Sequence, residues 1–350
     1  MLRRLFLSTT AATAAAALAA CTNSPTSSSA SSSATDAASA GGASTEASAM
    51  ASGAAASGKK ITIGFSAPAA DHGWLAAITK NAQNEAAKHP DVTLVMAEGG
   101  ATSADQIGQI ETLINRKVDV MVVLPSEGQA LTAVAQRAMR AGIPVVNLDR
   151  IFSTPLAYRT WIGGDNYGMG VSAGNYIGQR LKQGKVVEIA GLDNLQLTKQ
   201  RSAGFAAALK NYPGITLVAR QAADFTPDGG EKVMANILQA QPHFDALWNH
   251  DDDQGIGVEA AIKNAHRTGF FMVGGAGSKR VMEEIRNDGL VSATVLYSPS
   301  MSGSAINLAR LIALDRGESD LVEQAVPASI TLYSAVVTKA NVDRYLPVGF

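Results

Sequence analysis

Pro144-Val-Val-Asn-Leu148-Asp149-Arg150 decides the fold, because an apolar run with little alternation stops abruptly at a carboxylate and a guanidinium. A strand that is apolar at consecutive positions is buried on both faces, as in a parallel sheet covered by helices. Runs of the same kind recur on either side: Ile61-Thr-Ile-Gly-Phe65, Thr93-Leu-Val-Met96, Val120-Met-Val-Val-Leu124, Lys185-Val-Val-Glu-Ile189, Thr216-Leu-Val-Ala219, Ala246-Leu-Trp248 and Phe271-Met-Val273. Between them lie single segments of helical period, such as Leu75 to Lys88, Ser103 to Arg116, Gly128 to Ala141, Tyr167 to Lys182, Arg201 to Asn211, Gly229 to Gln241 and Gln254 to Asn264. Strand and helix alternating in this way predict an α/β chain of doubly wound parallel sheet. Ligands on such sheets sit beyond the carboxyl ends of the strands.

The chain of 350 residues carries a formal charge of -1 and no basic cluster, which argues against nucleic acid as a partner. Its single cysteine, Cys21, ends the run Leu18-Ala-Ala-Cys21 behind Met1-Leu-Arg-Arg and a short apolar stretch. That stretch is too short for a stable membrane span. Residues 1–21 resemble a bacterial lipoprotein signal, which implies that Cys21 becomes the lipidated first residue of an exported protein. Arg3-Arg4 leaves the general and twin-arginine export routes both open. Residues 22–58 are nearly all Ser, Ala, Thr and Gly; with so few large apolar groups they cannot offset their ordering entropy and read as a disordered tether. Residues 59–350 suffice for one large or two medium domains, and with no further cysteine they must rely on their core rather than disulfides.

Polar residues of mixed kind cluster where the strands end. The first run enters Ser66, Asp71, His72 and Trp74; the quoted strand ends in Asp149 and Arg150; later come Arg201, Phe225, Asp251 and Tyr297. Carboxylates beside arginines beside rings, without a sulfur ligand or a Gly-rich phosphate loop, suit a neutral polyhydroxylated ligand. Each hydroxyl both donates and accepts, so carboxylate and guanidinium bind neighbouring hydroxyls while a ring covers the C–H face. Bland readings compete at several positions. Asp149-Arg150 alone is a surface ion pair of little worth, Trp74 and Phe225 alone are core residues, and Arg201 alone is a solvated first-turn residue. Asp252 reads as the N-cap of the helix near Gln254.

Several motifs, agreeing in order, resemble the ribose-type sugar-binding proteins of ABC importers across residues 59–350. Gly142-Ile-Pro-Val-Val-Asn-Leu-Asp149-Arg150 resembles that family's strand with a ligand-binding Asp-Arg pair, and Gly164-Asp-Asn166 followed by Ala173-Gly-Asn-Tyr-Ile resembles its first crossover. Arg201-Ser-Ala-Gly-Phe205 and Ala223-Asp-Phe225 match its ligand arginine and stacking aromatic. Asp251 stands where a contacting Asn is usual, and Tyr297 where a hinge-adjacent Gln is usual. Val273-Gly-Gly-Ala276-Gly277 lacks the family's aspartate at Ala276, which turns the expectation away from ribose towards another sugar or an acyclic polyol.

The resemblance implies two doubly wound parallel-sheet lobes joined by a three-segment hinge near Gly163, Ser298 and Pro327. The first lobe is then 59–163 plus 299–326, and the second 164–298 plus 327–350. It implies a monomeric, lipid-anchored receptor on the outer face of the cytoplasmic membrane that delivers a monosaccharide or sugar alcohol to an ABC permease without a cofactor. A chemosensory co-receptor and a tethered carbohydrate-modifying enzyme remain open. His250-Asp-Asp-Asp253 invites a metal reading, but the Gly and Glu offsets of a calcium loop are missing. No Gly-x-Ser-x-Gly elbow surrounds Ser66.

Overall fold

The structure is a computed structural model that describes residues 59–97, 100, 102–314 and 326–350. The expectations for the signal, Cys21 and the tether lie outside the described residues. The strands are β1 (Ile61–Ser66), β2 (Val92–Ala97), β3 (Val120–Val123), β4 (Val145–Leu148), β5 (Thr160–Gly164), β6 (Gln183–Ala190), β7 (Gly214–Ala222), β8 (Ala246–Asn249), β9 (Phe271–Ala276), β10 (Val291–Leu296), β11 (Ser329–Leu332) and β12 (Val336–Thr338). The helices are α1 (Gly73–Ala87), α2 (Ser103–Asn115), α3 (Gly128–Arg140), α4 (Asn166–Leu181), α5 (Gln196–Leu209), α6 (Pro227–Ala240), α7 (Asp252–Asn264), α8 (Lys279–Arg286), α9 (Met301–Ala313) and α10 (Val342–Tyr345).

Two six-stranded sheets result, in the orders β11-β5-β4-β3-β1-β2 and β12-β10-β9-β8-β6-β7. Every pairing is parallel except β12 with β10. The apolar runs of the sequence become the central strands: β3, β4 and β8 are buried at every position. Helices cover both faces, as both-face burial requires. Local signals set the helix starts. Thr102 and Asp105 form a capping box on α2, and Thr226 caps α6 ahead of Pro227. In the second lobe Phe205 packs on Trp248 with ring centroids 4.7 Å apart, a pair that adds about 0.5–1.5 kcal/mol to its buried area.

β5, β10, β11, β12 and α9 escape the apolar-run reading. β5, Thr-Trp-Ile-Gly-Gly, and β10, Val-Ser-Ala-Thr-Val-Leu, interleave small and polar residues with apolar ones. Their burial is set by the neighbours they pair with.

The chain passes between the sheets after β5, after β10 and after β11. The last passage corrects the expected boundary at Pro327. Ile330 pairs with Ile162 and Leu332 with Gly164, so β11 belongs to the first sheet, and only Val336 onward joins the second. β11 covers a strand edge that would otherwise leave β5 with unpaired backbone groups. Helix α9 returns to the first lobe, packing on α1, β1, β3 and β4.

Candidate functional site

Between the sheets, beyond the carboxyl ends of their strands, His72, Trp74, Asp149, Arg150, Leu197, Arg201, Phe225, Asp251, Ala276 and Tyr297 line one pocket. Asp149 follows β4, Asp251 follows β8, Tyr297 follows β10, and Ala276 ends β9. Asp149, Phe225 and Ala276 hold left-handed backbone with φ of 60°, 70° and 88°. Such conformations are costly for non-glycine residues and persist where surrounding structure imposes them, commonly at binding sites.

The second lobe fixes its polar groups with its own hydrogen bonds. Arg201, in α5, donates from Nε to Asn166 Oδ1 at 2.8 Å and from Nη1 to the His250 carbonyl at 3.0 Å. Its guanidinium carbon lies 4.8 Å from the Tyr297 ring centroid, within cation–π range. Arg201 is buried, so the solvated first-turn reading fails. Gln254 Oε1 accepts the Phe225 N–H at 2.9 Å, while Gln254 Nε2 donates to Asn249 Oδ1 at 2.6 Å.

Asp251, not Asp252, caps α7: its Oδ1 accepts from the Asp253 and Gln254 amides at 2.8 and 3.1 Å. Asp252 instead accepts the N–H groups of Gly275, Gly277 and Ser278 and the Thr294 hydroxyl. It is a clamp on the β9 loop. The sequence placed the cap one residue late because consecutive aspartates offer the same chemistry at each position. Burial pushes the Asp251 carboxyl up to about 6, against the opposing pull of His72 and Arg201.

Tyr297 joins the two lobes. Its hydroxyl donates to Asp149 Oδ1 at 2.5 Å and accepts from Asn166 Nδ2 at 3.1 Å. Burial and the Asp149 carboxylate raise its pKa. The tyrosine ring needs a glycine beside it, since a Cβ on Gly164 would lie 2.1 Å from a ring carbon. On the first-lobe side, Arg150 donates from Nη1 to the Ser126 carbonyl at 2.8 Å, and its buried Nε has no partner. Burial lowers the Arg150 pKa.

His72 Nδ1 lies 2.5 Å from Asp71 Oδ1. Burial works against the imidazolium, but the bond to Asp71 and the nearby Asp251 outweigh it and raise the His72 pKa. The His72 and Phe225 rings face each other across the pocket, centroids 6.2 Å apart and 27° from parallel. Trp74 Nε1 donates to the Tyr297 carbonyl at 2.8 Å.

Two expected contacts lie elsewhere. Ser66 is fully buried behind the pocket, where its hydroxyl accepts from Gln106 Nε2 at 3.1 Å. Asp71, with a side chain 59% exposed, orients His72 from outside rather than lining the pocket. Leu197, Asn166 and Gln254 escaped the sequence reading, because nothing in an apolar or amide side chain announces a site until its neighbours are placed. The residues at the strand ends did carry a signal. A second cleft between the lobes, of about 510 Å³, shares Asp149, Arg150 and Leu197 with the pocket. Among the described residues no three His, Cys, Asp or Glu side chains converge to hold a metal ion.

Comparison with known proteins places the chain in a family. The family model described as periplasmic binding protein domain matches residues 63–317. The galactofuranose-binding protein of Escherichia coli is 29% identical over 301 residues, 83% of this chain and 93% of that protein. A ribose import binding protein of Bacillus subtilis is 28% identical over 275 residues, covering 78% of this chain and 87% of its own length. A crystal structure from Mycobacterium smegmatis, in complex with β-D-fucofuranose, superposes with a TM-score of 0.74 at 27% identity. It covers 82% of this chain and 94% of that one.

Proposed function

Since the chain belongs to the periplasmic binding protein domain family, we propose that it is an extracytoplasmic receptor that captures a neutral sugar or sugar alcohol between its lobes and delivers it to an ABC importer. The observation that carries this reading is the charge balance of the pocket. Arg150 and Arg201 face Asp149 and Asp251 around the facing rings of His72 and Phe225. Paired cations and anions leave little net field to favour a charged ligand, while hydroxyls satisfy both kinds of group at once. Relatives named for galactofuranose and ribose, and a solved structure holding a fucofuranose, support a monosaccharide.

Ala276 gives the pocket no carboxylate at the end of β9, and Asp251 supplies one at the end of β8. A hydroxyl pattern different from that of ribose is therefore expected. A relative named for galactofuranose and a solved structure with a fucofuranose favour a furanose-form sugar, with a short polyol the alternative. Closure over a ligand that touches both lobes shifts the population by the difference in its affinity for closed and open forms. Titration calorimetry over D-ribose, L-arabinose, D-galactose, ribitol and erythritol, with mass analysis of small molecules released on denaturing protein from its native host, tests the reading. A sugar or polyol binding at least tenfold tighter than ribose, about 1.4 kcal/mol, and released chemically unchanged is the expected result. Ribose tenfold tighter than all others defeats the selectivity; no binding and no released carbohydrate defeats the capture reading itself.

The lipobox-like Leu18-Ala-Ala-Cys21 supports a protein tethered through Cys21. A diacylated anchor gains about 0.8 kcal/mol per buried CH₂. Cys21→Ser is expected to move the protein out of the membrane fraction or stall its processing while ligand affinity stays unchanged. Equal membrane binding of mutant and wild type would refute the anchor.

A further inference from the structure

Helix α1 begins without a side-chain cap of its own: His72 at its N-cap makes no capping hydrogen bond. The first backbone bond of the helix is from the Ala76 N–H to the His72 carbonyl, so the amides of the first turn have no partner within the helix. One of them finds a partner in the other lobe. The Trp74 N–H donates to Asp253 Oδ2 at 2.8 Å. Asp253 stands in the first turn of α7, and its own amide is held by Asp251, whose side chain lines the pocket.

We propose that Asp253 is a positioning residue for ligand capture, a latch that caps α1 of the first lobe from the second and exists only while the lobes are together. A carboxylate on an uncapped helix N-terminus satisfies an orphan amide and lies at the favourable end of the helix dipole. Both ends of the latch are one step from the ligand space. Trp74 lends its backbone to the latch and its ring to the pocket, and Asp253 sits in the capping turn that holds Asp251. Closing the latch therefore sets the pocket's two walls in register. It raises apparent affinity by enlarging the closed fraction rather than by touching the ligand.

The approach leaves no room for a side chain at position 73 while the carboxylate stays in place. A Cβ there would lie 2.7 Å from Asp253 Oδ1, so a single methyl on the first lobe obstructs the acid of the second.

The latch serves the capture reading, but its test needs no ligand, because a bond that enlarges the closed fraction must do so before the ligand arrives. Amide hydrogen exchange of Trp74 is measured by NMR in the full-length protein, in wild type, Asp253→Ala, Gly73→Ala and the double variant. Because no intrahelical partner protects this amide, its exchange reports the cross-lobe bond. Losing a charge-assisted hydrogen bond is expected to speed exchange about tenfold or more in each single variant. The double variant is expected to exchange no faster than either, since both changes break one contact. Amides in the later turns of α7, such as that of Val258, keep wild-type rates. Unchanged Trp74 exchange in Asp253→Ala overturns the latch. So does acceleration spread equally through α7, or single effects that add in the double variant. None of these outcomes alters the sugar panel, and a failed sugar panel leaves this result standing.

Discussion

The two walls of the pocket are built differently. On the second lobe, Arg201 is tied by Asn166 and the His250 carbonyl, Phe225 by Gln254, and Asp251 by the amides it caps. On the first lobe, Arg150 has one bond to the Ser126 carbonyl and a buried Nε without a partner, and His72 is steadied by an exposed carboxylate. The difference teaches a division of labour. The second wall is held in one arrangement by its own lobe, so it loses little freedom when a ligand arrives. The first wall keeps hydrogen-bonding capacity in reserve for the ligand.

The comparison is broken or sharpened most strongly by truncating the two arginines. Arg201→Ala and Arg150→Ala are each expected to weaken sugar binding by about 100-fold, the range of interface anchors. Their ligand-free stabilities should diverge. Arg201→Ala orphans Asn166 Oδ1 and the His250 carbonyl, costing about 2–3 kcal/mol and lowering the melting temperature by about 5–10 °C. Arg150→Ala gives up one hydrogen bond and relieves an unpaired donor, so its melting temperature stays within about 2 °C of wild type. Differential scanning calorimetry of both variants checks this, and equal losses of stability would erase the distinction between the walls.

An effect spread over pH separates Asp251. Its carboxyl is raised from 3.8 to about 6, chiefly by burial, so between those values the folded protein binds more protons than the unfolded chain. Stability from this group is therefore highest at low pH and falls as pH rises from about 4 to about 6, by on the order of 2–3 kcal/mol. His72, with a raised pKa, contributes stability that is lost only as pH rises through its folded value above 6.5. Asp251→Asn should remove the first fall and shift the second towards lower pH, because the Asp251 carboxylate is one of the groups that raise the His72 pKa. Urea denaturation of both proteins from pH 4 to 8 reads the difference, and parallel pH profiles would refute the assignment.

The smallest expected effect belongs to Ser66. Because its hydroxyl serves Gln106 behind the pocket, Ser66→Ala should change ligand affinity by less than about twofold while costing about 0.5–1.5 kcal/mol of stability. A tenfold loss of affinity in calorimetry would return Ser66 to the site.

The strand ends were readable because a buried parallel strand leaves an uninterrupted apolar run, and polar residues that follow it stand where ligands sit. That logic locates Asp149, Arg150 and Asp251 and, with the family resemblance, Arg201, Phe225, Trp74 and Tyr297. It fails at β5 and β10, whose mixed residues are buried only by neighbouring strands, and at β11, whose sheet depends on which edge is free. It fails too at Ser66 and Asp71. Both sit beside the pocket in sequence, yet strand alternation turns one behind it and the loop turns the other to solvent.

Composition, apolar runs and cap chemistry, all local properties, were enough to determine an α/β chain with its polar loops gathered beyond parallel strands. Which of three consecutive aspartates caps α7, which clamps the β9 loop and which reaches across to Trp74 was decided only by the tertiary structure. Those roles differ in the direction each carboxylate faces, and in the amides that other elements bring to meet it. No property of an isolated aspartate records either.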